Sequence, residues 1–508
     1  MDHLPDKPDF PLIERANTWP ERLAIIASEG RFTYGQLLDA SAQTAATLLA
    51  GQVDLNEARV AFLTPRGFNY VTTQWGIWRA GGIAVPLCEA HPPPELAYVI
   101  DDSAAEIVIT DPAFAATLGP IAAERGLRLL LTTALGQAGP VTTLPAIGPE
   151  RRAMILYTSG TTGKPKGVVS THRNIQAQVT TLISAWGWRT DDHILNILPL
   201  HHVHGIINVL TCALWSGATC EILPAFDAEA VWERLAGGEL TLFMAVPTIY
   251  ARLIQFWQQA PPETQQRLSQ GCARLRLMVS GSAALPVSRL EQWRTISGHT
   301  LLERYGMTEI GMALSNPLQG ERMPGSVGRP LPGVTVRIVD EADNEVAPGT
   351  SGELQVKGDS VFREYFRRPE ATQAAFIDGW FRTGDTVVQE ADRYRILGRN
   401  SVDIIKTGGY KVSALEIEEV LRTHPAINEC AVVGVEDPDW GECVCVALVL
   451  NDSQALPLPA LRQWGKARLA PYKVPVRALV LNDLPRNVLG KVTKPQVVAL
   501  FTGRPAST

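Results

Sequence analysis

Residues 157 to 167 read Tyr157-Thr158-Ser159-Gly160-Thr161-Thr162-Gly163-Lys164-Pro165-Lys166-Gly167, and this run constrains the chain more than any other. Gly160, Gly163 and Gly167 let the backbone turn tightly and approach an anion. The hydroxyls of Thr158, Ser159, Thr161 and Thr162 can donate hydrogen bonds, and Lys164 and Lys166 supply positive charge. The apolar run Ala153-Met154-Ile155-Leu156-Tyr157 before it reads as a buried strand feeding the loop. Together they describe a cradle for a polyphosphate. The P-loop of simple NTPases requires Ser or Thr directly after its lysine, whereas Lys164 is followed by Pro165, which has no N–H to donate. A flexible Gly/Ser/Thr linker is the bland alternative, and the rest of the chain decides against it.

With 508 residues, 45% of them hydrophobic and 19% charged, the chain can bury a large core and divides into more than one domain. A net charge of −6 gives no global attraction to nucleic acid or to an anionic membrane, so any affinity for anionic ligands is local. The seven cysteines are scattered, odd in number and mostly set in apolar stretches, and they read as reduced core thiols of an intracellular protein. Cys443 and Cys445 share one face of an expected strand without further ligands for a metal. Met1 to Pro8 resembles neither a signal nor a transit peptide, and no apolar run reaches membrane-spanning length. A cytoplasmic protein is expected, or a mitochondrial matrix one if a leader has been removed.

From about Phe32 into the 330s, helical patterns alternate with short runs such as Arg59-Val60-Ala61-Phe62-Leu63 and Leu275-Arg276-Leu277-Met278-Val279. This is the alternation of crossover units, and it predicts an α/β fold with mostly parallel sheets covered by helices. After Gly333, Val334 to Val339 and Gly352 to Val356 alternate as strands of a β-rich subdomain over about 333–397. The expected division is an N-terminal domain over 1–397, a hinge over 398–403 and a small mobile α+β domain over 404–508. Gly139 to Arg152 is the most linker-like early segment.

Other strings carry chemistry. Glu303-Arg304-Tyr305-Gly306-Met307-Thr308-Glu309 offers carboxylates, a hydroxyl and an aromatic ring. Ser280-Gly281-Ser282-Ala283-Ala284 sets small residues at the end of an expected strand, where open α/β sheets bind ligands. It lacks the Gly-x-Ser-x-Gly spacing of a serine-hydrolase elbow. Trp380-Phe381-Arg382-Thr383-Gly384-Asp385 presents a carboxylate able to accept from both hydroxyls of a ribose. Leu484-Pro485-Arg486-Asn487-Val488-Leu489-Gly490-Lys491 supplies a cation for charge developing on an attacked phosphate.

In this order, from Phe32-Thr33-Tyr34-Gly35-Gln36-Leu37 to Lys491, the strings resemble the adenylate-forming superfamily of acyl-CoA synthetases, adenylation domains and luciferases. Such enzymes bind ATP and a carboxylic acid, form an acyl-AMP with release of pyrophosphate, and pass the acyl group to a thiol. The resemblance implies that Thr158 to Gly163, Lys164 and Lys166 hold phosphates and that Ser282, Ala283, Tyr305 and Gly306 surround adenine. It also implies that Asp385 and Arg399 read ribose, Thr308 touches phosphate, Glu309 and Thr158 associate with Mg2+, and Lys491 is the catalytic cation. Gly408, Gly409, Tyr410 and Lys411 match the region that replaces Lys491 after the small domain rotates, with Gly409 flanking the pantetheine of CoA. Relatives often have one residue fewer after Gly-Arg, so the hinge is placed no more narrowly than Asn400 to Asp403.

For the acid, Pro199-Leu200-His201-His202-Val203-His204 matches the family's pocket motif. Its three histidines lack the Asp, Glu or Cys that would complete a metal shell. His204 stands where malonyl-CoA synthetases carry histidine, and Met307 lies in the expected pocket wall. Arg252, one turn into a helix opened by Pro247, and Arg276, on the strand leading to Ser280, are the arginines expected to meet a second carboxylate. The wording of residues 278–315 and 401–416 is similar to the malonyl/methylmalonyl-CoA synthetase branch. The expected function is an ATP- and Mg2+-dependent ligase joining malonate or methylmalonate to CoA. The rivals are a medium- or long-chain fatty acyl-CoA synthetase, a stand-alone adenylation domain serving a carrier protein, and a nucleotide sensor. Nothing in the sequence fixes the oligomeric state.

Overall fold

The computed structural model describes residues 11–136, 143–158, 164–451, 454–487 and 490–503. Two sheets dominate the first two thirds of the chain. The larger, nine-stranded sheet is parallel through its centre, where Leu302–Met307, Leu277–Ser280, Leu242–Ala245, His193–Asn196, Thr219–Ile222 and Leu23–Ala27 lie side by side, and antiparallel at both edges. A seven-stranded sheet carries Arg152–Thr158 and Lys166–Thr171 as an antiparallel pair beside four parallel strands. Parallel strands at the centre of the two sheets, such as Leu242–Ala245, Leu277–Ser280 and Ile83–Pro86, are fully buried, mostly apolar runs, as expected of sheets covered on both faces by helices.

Capping fixes where the covering helices begin. Thr33 and Gln36 form a reciprocal capping box on Tyr34–Leu49, and Thr171 with Asn174 does the same for His172–Trp186. Pro247 takes the first position of Pro247–Gln259, where its missing N–H costs nothing. Beyond Gly333, Val334–Val339, Gly352–Gly358, Trp380–Glu390 and Arg393–Arg399 form an antiparallel five-stranded sheet with Phe376–Ile377. Residues 400–403 form a turn, and a further five-stranded sheet follows, built from Ile404–Thr407, Tyr410–Ser413, Ile427–Asp437, Gly441–Leu450 and Arg477–Val480.

All seven cysteines are buried and free, and Cys443 Sγ lies 3.6 Å from Cys445 Sγ on one face of Gly441–Leu450. Among the described residues no helix is long and apolar enough to cross a membrane.

The last unit docks on the first through polar contacts. The Gly490 backbone lies against Thr248 in the first turn of Pro247–Gln259, with Oγ1 3.3 Å from where a Cβ would stand. Glu419 accepts a hydrogen bond (3.1 Å) from the N–H of Val287, the first residue of helix Val287–Ser297. That carboxylate caps exposed N–H groups at the positive end of a helix dipole.

Candidate functional site

The strand Arg152–Thr158 ends where Thr158 pairs across the sheet with Lys166, so the two residues close the neck of the phosphate-loop run. Ser159, Gly160, Thr161, Thr162 and Gly163 lie outside the described residues. Both sides of the neck are anchored. The Tyr157 hydroxyl donates to Asp102 Oδ2 (2.9 Å), and the Tyr98 hydroxyl donates to the Pro165 carbonyl (2.7 Å). Arg368 neutralises Asp102, Lys164 lies over the Tyr98 ring at 5.4 Å, and Lys166 lies over the Tyr365 ring at 4.2 Å.

The same tyrosine reaches the next motif. Tyr365 donates to Glu309 Oε1 at 3.0 Å, and Glu309 is buried. Burial raises its pKa, while the Tyr365 hydrogen bond and the Arg399 and Lys166 charges oppose the shift. Successive strand residues point to opposite faces, so Glu303 and Arg304 diverge within Leu302–Met307. Glu303 turns to the Gly325 N–H (3.1 Å), and its pKa is pushed up to about 8 by burial and by Glu419 across the interface. Glu309 is therefore the carboxylate of this string that faces the phosphate-loop side. Among the described residues no three His, Cys, Asp or Glu side chains gather into a metal cage. A magnesium ion fits here only as Mg2+ usually binds, on one carboxylate and a hydroxyl, with phosphate and water completing the shell.

Asp385 lies in the strand Trp380–Glu390, directly opposite Arg399 on the next strand. Arg399 Nε is 3.0 Å from Asp385 Oδ1, and the Tyr305 hydroxyl donates to Oδ2 at 2.5 Å. Burial raises the carboxylate's pKa, and the Arg399 charge counters it. Tyr305, Asp385 and Arg399, expected from three separate strings, thus form one hydrogen-bonded set.

At the carboxyl end of Leu277–Ser280 the backbone turns at Ser282, whose φ of +70° is in the left-handed region that costs a non-glycine residue energy. Ser282 Oγ and His204 Nδ1 share a hydrogen bond of 3.2 Å, and Ala283 is exposed beside them. His204 opens a π-helix, His204–Thr211, every residue of which is buried; such wide turns recur at functional sites. Gly205 is required there, since a Cβ would stand 2.4 Å from the Pro199 carbonyl oxygen. His201, His202 and His204 all have Nε2 atoms without a partner among the described residues, and burial depresses the pKa of each.

Arg304, which sequence reasoning passed over, is a further buried cation of this site. It is 4% exposed, and neither Nε nor Nη2 has a hydrogen-bond partner. Burial alone lowers its pKa to about 9. Gly281 packs against it so closely that a Cβ would stand 2.4 Å from Nη1. His204 feels the Arg304 and Lys491 charges, and Lys491 feels those of Arg399 and Arg304. Lys491 itself is brought down to about 8, first by burial and then by those two arginines. With Arg399 held by Asp385, Arg304 and Lys491 are the buried cations left to attract an anion.

Two expectations are corrected. Arg252 does not line the pocket: helix Pro247–Gln259 buries Pro247, Tyr250, Leu253 and Ile254, which leaves Arg252 exposed over the Phe226 ring at 5.8 Å. Arg276 precedes its strand at the amino end, away from Ser280. Asp192 forms a bidentate pair with one edge of its guanidinium, Nε donating to Oδ1 at 2.7 Å and Nη2 to Oδ2, and Nη1 donates to the Trp186 carbonyl. That arginine is already neutralised.

Met307, Thr308 and Gly306 lie half-buried at the end of the Arg304 strand, and Gly306 leaves no room for a Cβ, 2.1 Å from the Gly311 carbonyl oxygen. Gly408 to Lys411 lie on the outer surface. Gly408 and Gly409 have φ of +54° and +79°, Tyr410 stacks on Tyr472 at 4.2 Å, and Lys411 Nζ pairs with Glu341 at 2.5 Å. Trp440, 54% exposed, lies against Gly408.

The chain is 48% identical to a mouse protein named malonate–CoA ligase ACSF3, mitochondrial, over 96% of this chain and 90% of that one. The ATP-bound crystal structure of MatB from Rhodopseudomonas palustris superposes with a TM-score of 0.90 at 34% identity, covering 97% of this chain and 98% of that one. The apo structure of the same protein gives a TM-score of 0.79 at the same identity and coverage. The model of the AMP-binding enzyme matches residues 12–366 and that of the AMP-binding enzyme C-terminal domain matches 416–491, and the chain belongs to this family of AMP-binding enzymes.

Proposed function

We propose that the chain is an AMP-forming acid:CoA ligase that activates a short dicarboxylate, malonate or methylmalonate, through an acyl-adenylate. The observation that carries this reading is Arg304, a buried guanidinium with unpaired donors beside His204 and Lys491. When one carboxylate of malonate attacks the α-phosphate, the other stays ionised within the pocket, and burying it unpaired costs several kcal/mol. Arg304 offers it a fork of donors and His204 a further nitrogen. A fatty acid would lay an apolar tail against that unpaired charge, which argues against the medium- and long-chain alternative. Relatives named malonate–CoA ligase support the same choice.

In this reading Tyr305, Asp385 and Arg399 hold the nucleoside, with Asp385 accepting from ribose. The neck residues Thr158, Lys164 and Lys166 hold the phosphates, and Thr308 and the backbone of Ser282, Ala283 and Gly306 complete the nucleotide wall. Glu309 and Thr158 would hold Mg2+, which when bound neutralises polyphosphate charge. Lys491 stabilises the charge that develops as the carboxylate attacks. Gly408, Gly409, Tyr410 and Lys411 take CoA in a second arrangement, reached by rotation about Asn400 to Asp403 once the Lys411–Glu341 pair opens. The exposed Trp440 beside Gly408 joins that surface. The mouse relative is named as mitochondrial, which favours a mitochondrial location over a cytoplasmic one.

The test is an acid panel with ATP, Mg2+ and CoA, following AMP and thioester. Malonate or methylmalonate is expected to give the highest kcat/KM, and preference for octanoate would leave only the general ligase assignment. A pH dependence follows from Lys491. With a pKa of about 8 in the free enzyme it is protonated and competent at neutral pH. The value of kcat/KM for ATP should therefore fall as pH rises through about 8, well below the ordinary lysine value of 10.5.

A further inference from the structure

Three residues beyond Lys491, at the start of helix Lys494–Thr502, a second lysine is buried for a different purpose. Lys494 Nζ lies 2.6 Å from Asp403 Oδ1 and 2.9 Å from Glu418 Oε1, with side-chain exposures of 11%, 14% and 5% for the three residues. Glu418 does not depend on it. Arg422 pairs with its Oε2 at 2.9 Å, and the Val432 N–H donates to Oε1 at 2.9 Å. Asp403 is different. Its second oxygen accepts the Arg399 N–H at 3.0 Å, and it sits in the turn between the sheet that ends at Arg399 and the sheet that begins at Ile404. Arg399 in turn holds Asp385, which accepts from Tyr305. An unbroken run of ion pairs and hydrogen bonds therefore joins the exit of the Lys491 loop to the nucleoside set.

We propose that Lys494 is a positioning residue for acyl-adenylate formation: by clamping Asp403 against the Arg399 N–H it registers the Lys491 loop on the nucleotide. The inference rests on the ligase reading above and adds a residue that touches neither substrate. A buried charge cluster contributes little net stability compared with apolar residues of the same volume, but it defines one geometry sharply. The Asp403 to Arg399 contact closes the turn that links the two units. The Lys494 to Glu418 contact lies within one. Rotation of the small unit for CoA breaks only the former, so the clamp acts in the first half-reaction and not the second.

The experiment compares pyrophosphate exchange with thioester formation from supplied acyl-adenylate. It uses the full-length enzyme and whichever acid gives the fastest wild-type exchange, so that an error in the choice of acid leaves this test intact. Lys494→Met and Asp403→Asn are each expected to slow exchange by about tenfold or more while thioester formation stays within about threefold, and Lys494→Arg should recover most of the exchange. Asp403→Asn keeps the Lys494–Glu418 pair and an acceptor for Arg399, and it supplies the answer where Lys494→Met fails to fold. Equal losses in both half-reactions, no loss in either, or a lowered Tm with an unchanged ratio between the two rates would each overturn the proposal.

Discussion

Lys491→Ala is expected to lower acyl-adenylate formation by on the order of 10² to 10³ while leaving thioester formation from supplied acyl-adenylate nearly intact. The reason is where charge appears. Negative charge develops on the α-phosphate only while the carboxylate attacks, and Lys491, buried near Arg304 and Arg399, is the cation proposed to meet it. The preorganised ammonium needs no reorientation during the step, and this is what makes a single electrostatic contact so effective. Thiol attack on the acyl-adenylate makes its charge on the carbonyl oxygen instead, and in the proposed second arrangement Gly408 to Lys411 stand in place of the Lys491 loop. Pyrophosphate exchange measures the first step and CoA-dependent AMP release from supplied adenylate measures the second. Equal losses in the two would remove Lys491 from its assigned role. Lys491→Arg tests geometry: a longer planar cation in a buried slot lined by two other cations should recover little.

The strands were legible because their residues are of the right kind. Ala153 to Tyr157, Leu277 to Ser280 and Val334 to Val339 are short apolar or β-branched runs between turn residues, and each is a strand. Asp385, Arg399 and Tyr305 come together as the separate strings implied, because adjacent strands place Asp385 and Arg399 in register. The Arg252 expectation failed on information the sequence held: Pro247, Tyr250, Leu253 and Ile254 repeat at helical spacing, which leaves position 252 outside that stripe. Arg276 failed on information it did not hold, since its partner Asp192 lies 84 residues away. Arg304 was hidden differently. A pair of charges, Glu303 and Arg304, directly after Leu301 and Leu302 on an expected strand was itself a signal, but the string was read for Glu309 and Tyr305. The π-helix of His204–Thr211 left no mark at all, because hydrogen bonds to the fifth residue have no sequence period of their own at this length.

The second large effect concerns Arg304. Replacing it with leucine should lower kcat/KM for malonate by on the order of 10² to 10³, since removing one partner of a buried charge pair costs about 3 to 5 kcal/mol. ATP binding should change little, because Asp385, Tyr305 and the phosphate-loop neck are untouched. Short monocarboxylates such as propionate should gain relative to malonate, since they no longer strand a buried guanidinium. A second signature separates this role from general damage. Arg304 is one of the two cations that, together with burial, lower the Lys491 pKa, so the leucine variant should move the alkaline limb of kcat/KM for ATP upward. Lys491 then keeps its proton over a wider range. Arg252→Ala serves as the control, since that side chain is exposed over Phe226 and should leave malonate kinetics unchanged. If Arg304→Leu keeps its preference for malonate and shows an unmoved alkaline limb, the second carboxylate is read elsewhere, and the dicarboxylate reading loses the observation that carries it.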